Sequence, residues 1–195
     1  MNFHSYEYLG LLIAVVGIYW VLPRGAQNIM LLAASYTFYA YVDPWLGLLL
    51  FGYTAINYLA ARGMKLYPKK KRILLLIALA AGAGVLGYFK YLGFLVDTIS
   101  NMLTNVGLQI DPITLNIFLP VGISFYTFQT LGYVIDVYRG RIEARTNFLN
   151  VALYVAFFPQ LVAGPIERAL RLLPQFEVKR QPHVTVLYEG MYLLI

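Results

Sequence analysis

Long apolar stretches separated by brief charged breaks set the pattern of this chain. Runs free of Asp, Glu, Lys and Arg cover residues 8–23, 25–42, 44–61, 73–89, 112–135 and 146–166. A helix needs about 20 residues to cross roughly 30 Å of hydrocarbon. The pattern therefore predicts an all-α fold, a multipass transmembrane helical bundle with spans at about 3–22, 26–42, 44–61, 73–89 and 113–138. The breaks Pro23-Arg24-Gly25 and Asp43-Pro44 suit tight turns. Past Lys90 the period changes. Leu92, Leu95, Ile99 and Leu103 recur at helical spacing, opposite Asp97, Ser100, Asn101 and Thr104, which predicts an amphipathic interfacial helix over 91–104. A last apolar stretch, 184–195, is too short to span. It is expected to start a further helix, which makes the chain the N-terminal portion of a larger single membrane domain.

Composition sharpens this picture by exclusion. Apolar residues make up 60% of the 195 and charged residues only 12%, more apolar surface than a soluble domain of this size buries. With no cysteine, thiolate chemistry and cysteine-ligated metal are ruled out. His4 and His183 lie at opposite ends of the chain and read as surface residues, so a multi-histidine metal site is not expected here. The net charge of +6 sits in clusters. From Arg62 to Arg72 there are six basic residues and no acidic one. Between two apolar spans this reads as a topological anchor and not a nucleic-acid patch; the positive-inside rule makes it cytoplasmic and puts the N-terminus outside. No Lys or Arg precedes the first apolar run, so that run is expected to remain as a span and not to be cleaved.

Two segments depart from simple spans. In 113–138, Tyr126, Gln129, Tyr133 and Asp136 follow one another at +3, +4 and +3, along one helical face. Lipid offers no partner for an amide or carboxylate, so the stripe should face the bundle interior or a wet cavity. Helix–helix hydrogen bonding and channel lining both fit it, and Asp136 is expected to pair with Arg139 as a structural ion pair. The second segment is Phe157-Phe158-Pro159-Gln160-Leu161-Val162-Ala163-Gly164-Pro165-Ile166-Glu167-Arg168. Basic residues flank it on both sides, and its prolines and glycine predict a re-entrant segment over 147–164. An interfacial helix should follow over 165–173. Pro165 would take its first position and Glu167 its first turn, Ile166, Leu170 and Leu173 would form its apolar face, and Pro174 would end it. Pro159, Gln160, Gly164, Pro165, Glu167 and Arg168 join Tyr126, Gln129 and Tyr133 as candidates for channel or donor-side lining. Glu167 and Arg168 read equally well as cap and anchor charges.

Pro120-Val121-Gly122-Ile123-Ser124-Phe125-Tyr126-Thr127-Phe128-Gln129, Val134-Ile135-Asp136-Val137-Tyr138-Arg139-Gly140 and the Phe157–Arg168 run resemble the membrane-bound O-acyltransferase family. Phe89-Lys90-Tyr91 and Tyr36-Thr37-Phe38-Tyr39-Ala40 add to the likeness. The resemblance implies acetyl transfer in a bacterial cytoplasmic (inner) membrane, from a cytoplasmic acyl thioester such as acetyl-CoA to an extracytoplasmic polysaccharide of alginate or peptidoglycan type, or to a periplasmic acetyltransferase partner. No bound cofactor is implied. It further implies that the family's histidine lies beyond residue 195, so that this chain alone is inactive and supplies scaffold and donor-side lining. For donor phosphates the resemblance makes Arg139, Arg141, Arg168 and Arg171 candidates. D-alanyl transfer to teichoic acid within the same family, a non-catalytic scaffold for a polysaccharide-modifying complex, and a small-solute transporter are the alternatives.

Overall fold

The computed structural model describes residues 6–41, 43–105, 120, 122–163 and 167–178. His4, His183, Gly164, Pro165 and the 184–195 stretch lie outside the described residues. Among those described, the chain forms helices and no strand. They are α1 (Tyr6–Tyr19), α2 (Arg24–Ala40), α3 (Pro44–Leu66), α4 (Lys71–Leu86), α5 (Leu92–Asn105), α6 (Ile123–Tyr138), α7 (Phe148–Ala156), α8 (Phe158–Ala163) and α9 (Ala169–Glu177).

The two short breaks behave as turns. Pro23 precedes α2, and Asp43 caps α3 by accepting a hydrogen bond from the Trp45 N–H at 2.9 Å, with Pro44 in the first turn. α3 runs past the expected end at 61 to Leu66. Arg62 and Lys65 thus ride on its last turns, where the helix dipole favours cations. A single 3₁₀ turn, Pro68–Lys70, leads into α4.

α2, α3, α6 and α7 make the centre, α4 lies on α3 and α6, and α1 lies on α2. Small residues let α4 approach, whereas Ala80, Ala83 and Gly84 are exposed. The packed face carries Ala78 and Gly82. A Cβ on Gly82 would stand 2.9 Å from Leu131 Cδ1 and 3.1 Å from Tyr53 Oη, so three helices converge there on the missing side chain.

Between α4 and α5 the backbone does not break. A π-helical turn, Gly87–Tyr91, joins them into one apolar helix over Pro68–Thr104. This helix and Pro44–Leu66 are long and apolar enough to cross a membrane. The most apolar window of the former is only 11% buried, which water would not tolerate.

Four expectations need correction. The span 113–138 is no single rod, because Gly122 adopts φ +74° and α6 begins only at Ile123. The helix expected over 165–173 starts at Ala169, with Glu167 and Arg168 non-helical ahead of it. Pro174 lies inside that helix and does not end it. Burial of Phe176 and pairing of Glu177 with Arg145 hold the turn beyond. The inward face is Ala169, Leu173 and Phe176, while Leu170 points outward.

Candidate functional site

Where α7 stops at Ala156, its last carbonyls are buried and need partners from the protein itself. The chain turns at Phe157 (φ −56°, ψ 104°) and re-enters a helix one residue later, with Pro159 in the first turn of α8, where its missing N–H costs least. Side chains from other helices close the gap. Gln129 Nε2, on α6, donates to the Tyr154 carbonyl at 2.8 Å and to Gln160 Oε1 at 3.3 Å. Ser35 Oγ, on α2, accepts the Phe158 N–H at 3.2 Å and donates to the Leu31 carbonyl at 2.7 Å. The Tyr154 hydroxyl faces the Gln129 carbonyl at 3.3 Å and the Glu167 carbonyl at 3.1 Å. The broken helix is therefore pinned by amides and hydroxyls in the most buried part of the molecule.

Beside this junction lies a set of polar aromatics. Tyr126 is fully buried and meets Tyr39 edge-on and Tyr53 at a tilt, both at 6.0 Å between ring centroids. The Tyr39 and Tyr126 hydroxyls interact without well-formed hydrogen-bond geometry. Among the described residues Thr127 Oγ1, Gln129 Oε1 and Asn57 Oδ1 also lack a partner. Such a concentration of unsatisfied oxygen is uncommon in a packed interior. Tyr133 is buried and accepts the Arg145 N–H at 3.0 Å.

The predicted stripe thus faces protein. Tyr126, Gln129 and Tyr133 are each at most 2% exposed, whereas Phe128 between them is 54% exposed. Gln160 joins Gln129, and Pro159 lines a neighbouring apolar cavity of about 400 Å³ between α1, α2, α8 and α9. Glu167 takes part through its backbone carbonyl, and Arg168 is an exposed N-cap of α9. Tyr154, Ser35, Asn28, Asn150, Tyr39 and Tyr53 were not singled out by the sequence. Each is a polar side chain or tyrosine in a charge-free run, the same signal that marked Gln129.

Asp136 does not pair with Arg139. Gly140, at φ +71°, turns the chain back so that the Arg141 N–H reaches the Asp136 carbonyl at 2.9 Å and the Gly140 N–H the Val137 carbonyl at 3.1 Å, a left-handed helix stop. That turn carries the Arg141 guanidinium to 3.5 Å from the Asp136 carboxylate and leaves Arg139 exposed. A double-mutant cycle of Asp136→Asn with Arg141→Gln, read by unfolding in detergent, is expected to show coupling of about 0.5–1 kcal/mol, and the same cycle with Arg139→Gln none.

Both basic clusters meet at one end of the bundle. Lys65 Nζ lies 3.0 Å from Glu143 Oε2 and holds that carboxyl below its usual range. Tyr58 donates to the Thr146 carbonyl at 2.6 Å, and Arg62 donates to the Tyr58 hydroxyl at 2.8 Å. Arg145 and Glu177, on opposite flanks of the broken segment, pair at 2.9 Å. Among the described residues no group of three or more His, Asp or Glu side chains is placed to hold a metal ion.

An interrupted helix held by buried amides from its neighbours, beside two helices long and apolar enough to cross a membrane, fits a class of membrane proteins that enclose irregular backbone within protein. Within that class, the chain belongs to the membrane-bound O-acyltransferase family, together with the alginate O-acetylases. It is 40% identical over 182 residues to a probable alginate O-acetylase of Pseudomonas aeruginosa, a match covering 90% of this chain and 34% of that protein. To the probable alginate O-acetylase of Azotobacter vinelandii it is 39% identical over 184 residues, covering 90% and 36%. To a peptidoglycan O-acetyltransferase of Helicobacter pylori it is 31% identical over 199 residues, covering 85% and 36%. The chain thus spans about a third of the length of these relatives. No family model matches it, and no solved structure does.

Proposed function

We propose that this chain is the donor-side scaffold of a membrane O-acetyltransferase that passes acetyl groups from a thioester such as acetyl-CoA to an extracytoplasmic polysaccharide or to a periplasmic transferase partner. The identity to alginate O-acetylases over nine-tenths of the chain carries this reading. The end that gathers Lys65, Arg62, Arg141 and Arg145 is the cytoplasmic one by the positive-inside rule, with the N-terminus outside a bacterial inner membrane. The broken segment is re-entrant. α7, with nine residues, reaches only about 14 Å at about 1.5 Å per residue, and the Arg145–Glu177 pair brings the segment's two flanks to the same end.

A thioester whose phosphates keep it out of hydrocarbon needs an opening at depth, and the junction beneath Gln129, Gln160 and Tyr126 is where polar atoms already replace lipid contacts. The described interior offers tyrosines and amides, and the family resemblance puts the proton-accepting histidine in the remainder of the whole protein. Membranes carrying the full-length protein are expected to move labelled acetyl from acetyl-CoA to alginate or peptidoglycan, and membranes carrying only these 195 residues to show none. Transfer by the chain alone, or none by the full-length protein with either acceptor, would sink the assignment.

A non-catalytic scaffold is the second reading, favoured by one observation: Gln129 Nε2 and the Tyr154 hydroxyl are both directed to backbone carbonyls. Retained transfer in the full-length protein carrying Gln129→Glu, at unchanged protein level, would support it over a lining role.

A further inference from the structure

A polar cavity of about 290 Å³ opens where the turn between α3 and α4 meets the loop that follows α6. Lys65 borders it from the end of α3, Lys71 from the first turn of α4, and Gly140, Ile142, Glu143 and Ala144 from the loop. Gly140 has open space where a side chain would stand. The turn joins the two helices long and apolar enough to cross a membrane, so on the membrane reading the cavity lies at the level of lipid phosphates and within reach of solutes.

Its walls are rich in donors and poor in acceptors. In the loop, the Arg141 N–H goes to the Asp136 carbonyl and the Arg145 N–H to the Tyr133 hydroxyl. Between them the N–H groups of Ile142, Glu143 and Ala144 donate to no group among the described residues. Ile142 and Ala144 are only 8% and 5% exposed, and interior N–H groups nearly always have an acceptor. Lys71 is half-buried and meets no carboxylate among the described residues. Lys65 gives one of its three N–H donors to Glu143, the single carboxylate of the cavity wall among those residues. Donors from the end of α3, the start of α4 and the loop thus surround one space. The two oxygens of a carboxylate cannot serve all three; a tetrahedral oxyanion can.

We propose that this cavity binds a phosphate group, carried by a phospholipid headgroup or by a soluble phosphate, with Lys65 and Lys71 against its charge and the 142–144 amides on its oxygens. Glu143 competes with the phosphate for Lys65. Both partners of that pair are well exposed, at 52% and 81%, and an exposed pair is weak enough for a phosphate to displace. The site rests on the geometry of this end of the bundle and not on acetyl transfer, so either can fail without the other.

Amide NMR spectra of the ¹⁵N-labelled chain in phosphatidylcholine nanodiscs test it, with inorganic phosphate as the probe. The Ile142 and Ala144 signals are expected to shift saturably with phosphate and not with chloride at equal ionic strength, a readout that needs no variant. Lys71→Gln should weaken binding about tenfold, the loss of one charge-assisted hydrogen bond. Glu143→Gln should tighten it about two- to fivefold by freeing Lys65. Lys70→Gln removes the same charge from the same turn but outside the cavity, and should change affinity by less than about twofold. Nanodiscs containing phosphatidylglycerol separate the two sources. If they shift the same signals unaided and blunt the phosphate titration, the phosphate is a lipid's; if the titration is unchanged, it is a solute's. Absence of a saturable shift with both probes, equal losses from Lys70→Gln and Lys71→Gln, or weaker binding by Glu143→Gln overturns the proposal.

Discussion

Gln129→Leu is expected to destabilise the protein by about 2–4 kcal/mol while keeping the volume of the side chain. The loss comes from the Tyr154 carbonyl, which then has no donor at the end of α7, and from the broken bond to Gln160. An orphaned carbonyl in a buried interior costs about 1–3 kcal/mol. Thermal or denaturant unfolding in detergent measures it. Phe128→Leu is the matched control, since that side chain is outward-facing and should change stability by under about 0.5 kcal/mol. Equal midpoints for the two variants would mean that the break at Phe157 holds without Gln129.

Gly122→Ala is expected to be the second large effect, about 2–3 kcal/mol. The residue sits at φ +74°, where an L side chain costs roughly 1–2 kcal/mol, and its Cβ would press on the Leu161 carbonyl at 3.2 Å. That carbonyl belongs to α8, so relief of the contact must move the broken segment relative to the start of α6. Gly132→Ala makes the contrast within the same helix. It has open space and ordinary helical backbone, and should stabilise by up to about 1 kcal/mol. The same unfolding assay reads both, and a neutral Gly122→Ala would show that α8 yields freely.

The large features were legible because long charge-free runs form helices whose polar side chains must find partners inside the protein. Charge-free runs of the right length became α2, α3 and α4, and the polar stripe on α6 turned inward because an amide has nowhere else to go. Local backbone chemistry was legible only in part. Asp136 and Arg139 fit an i, i+3 pair on a continuing helix, but Gly140 ends the helix and hands Asp136 to Arg141. Pro120 and Gly122 were visible as breakers inside a predicted span, yet the apolar run extended over them and hid the true start at Ile123. Pro174 reads as a stop by local rules, and only the tertiary contacts of Phe176 and Glu177 carry the helix past it.

At the junction the reason is different. Tyr154, Gln129 and Ser35 meet groups on other elements 13 to 123 residues away, as with Tyr154 and Glu167 at 13, Gln129 and Tyr154 at 25, and Ser35 and Phe158 at 123. A single sequence says that each needs a partner, but not which one. Asn28, reaching across 122 residues to Asn150 and 148 to Phe176, is the clearest instance.

The π turn at Gly87–Tyr91 sets the rotational phase of everything after it. One extra residue in a helical turn advances the following helix by about 100°. Deleting a single residue there would rewind α5 by that angle, carrying Ser100 and Asn101 out of step with the face that α4 presents, even though no break in the rod would be visible.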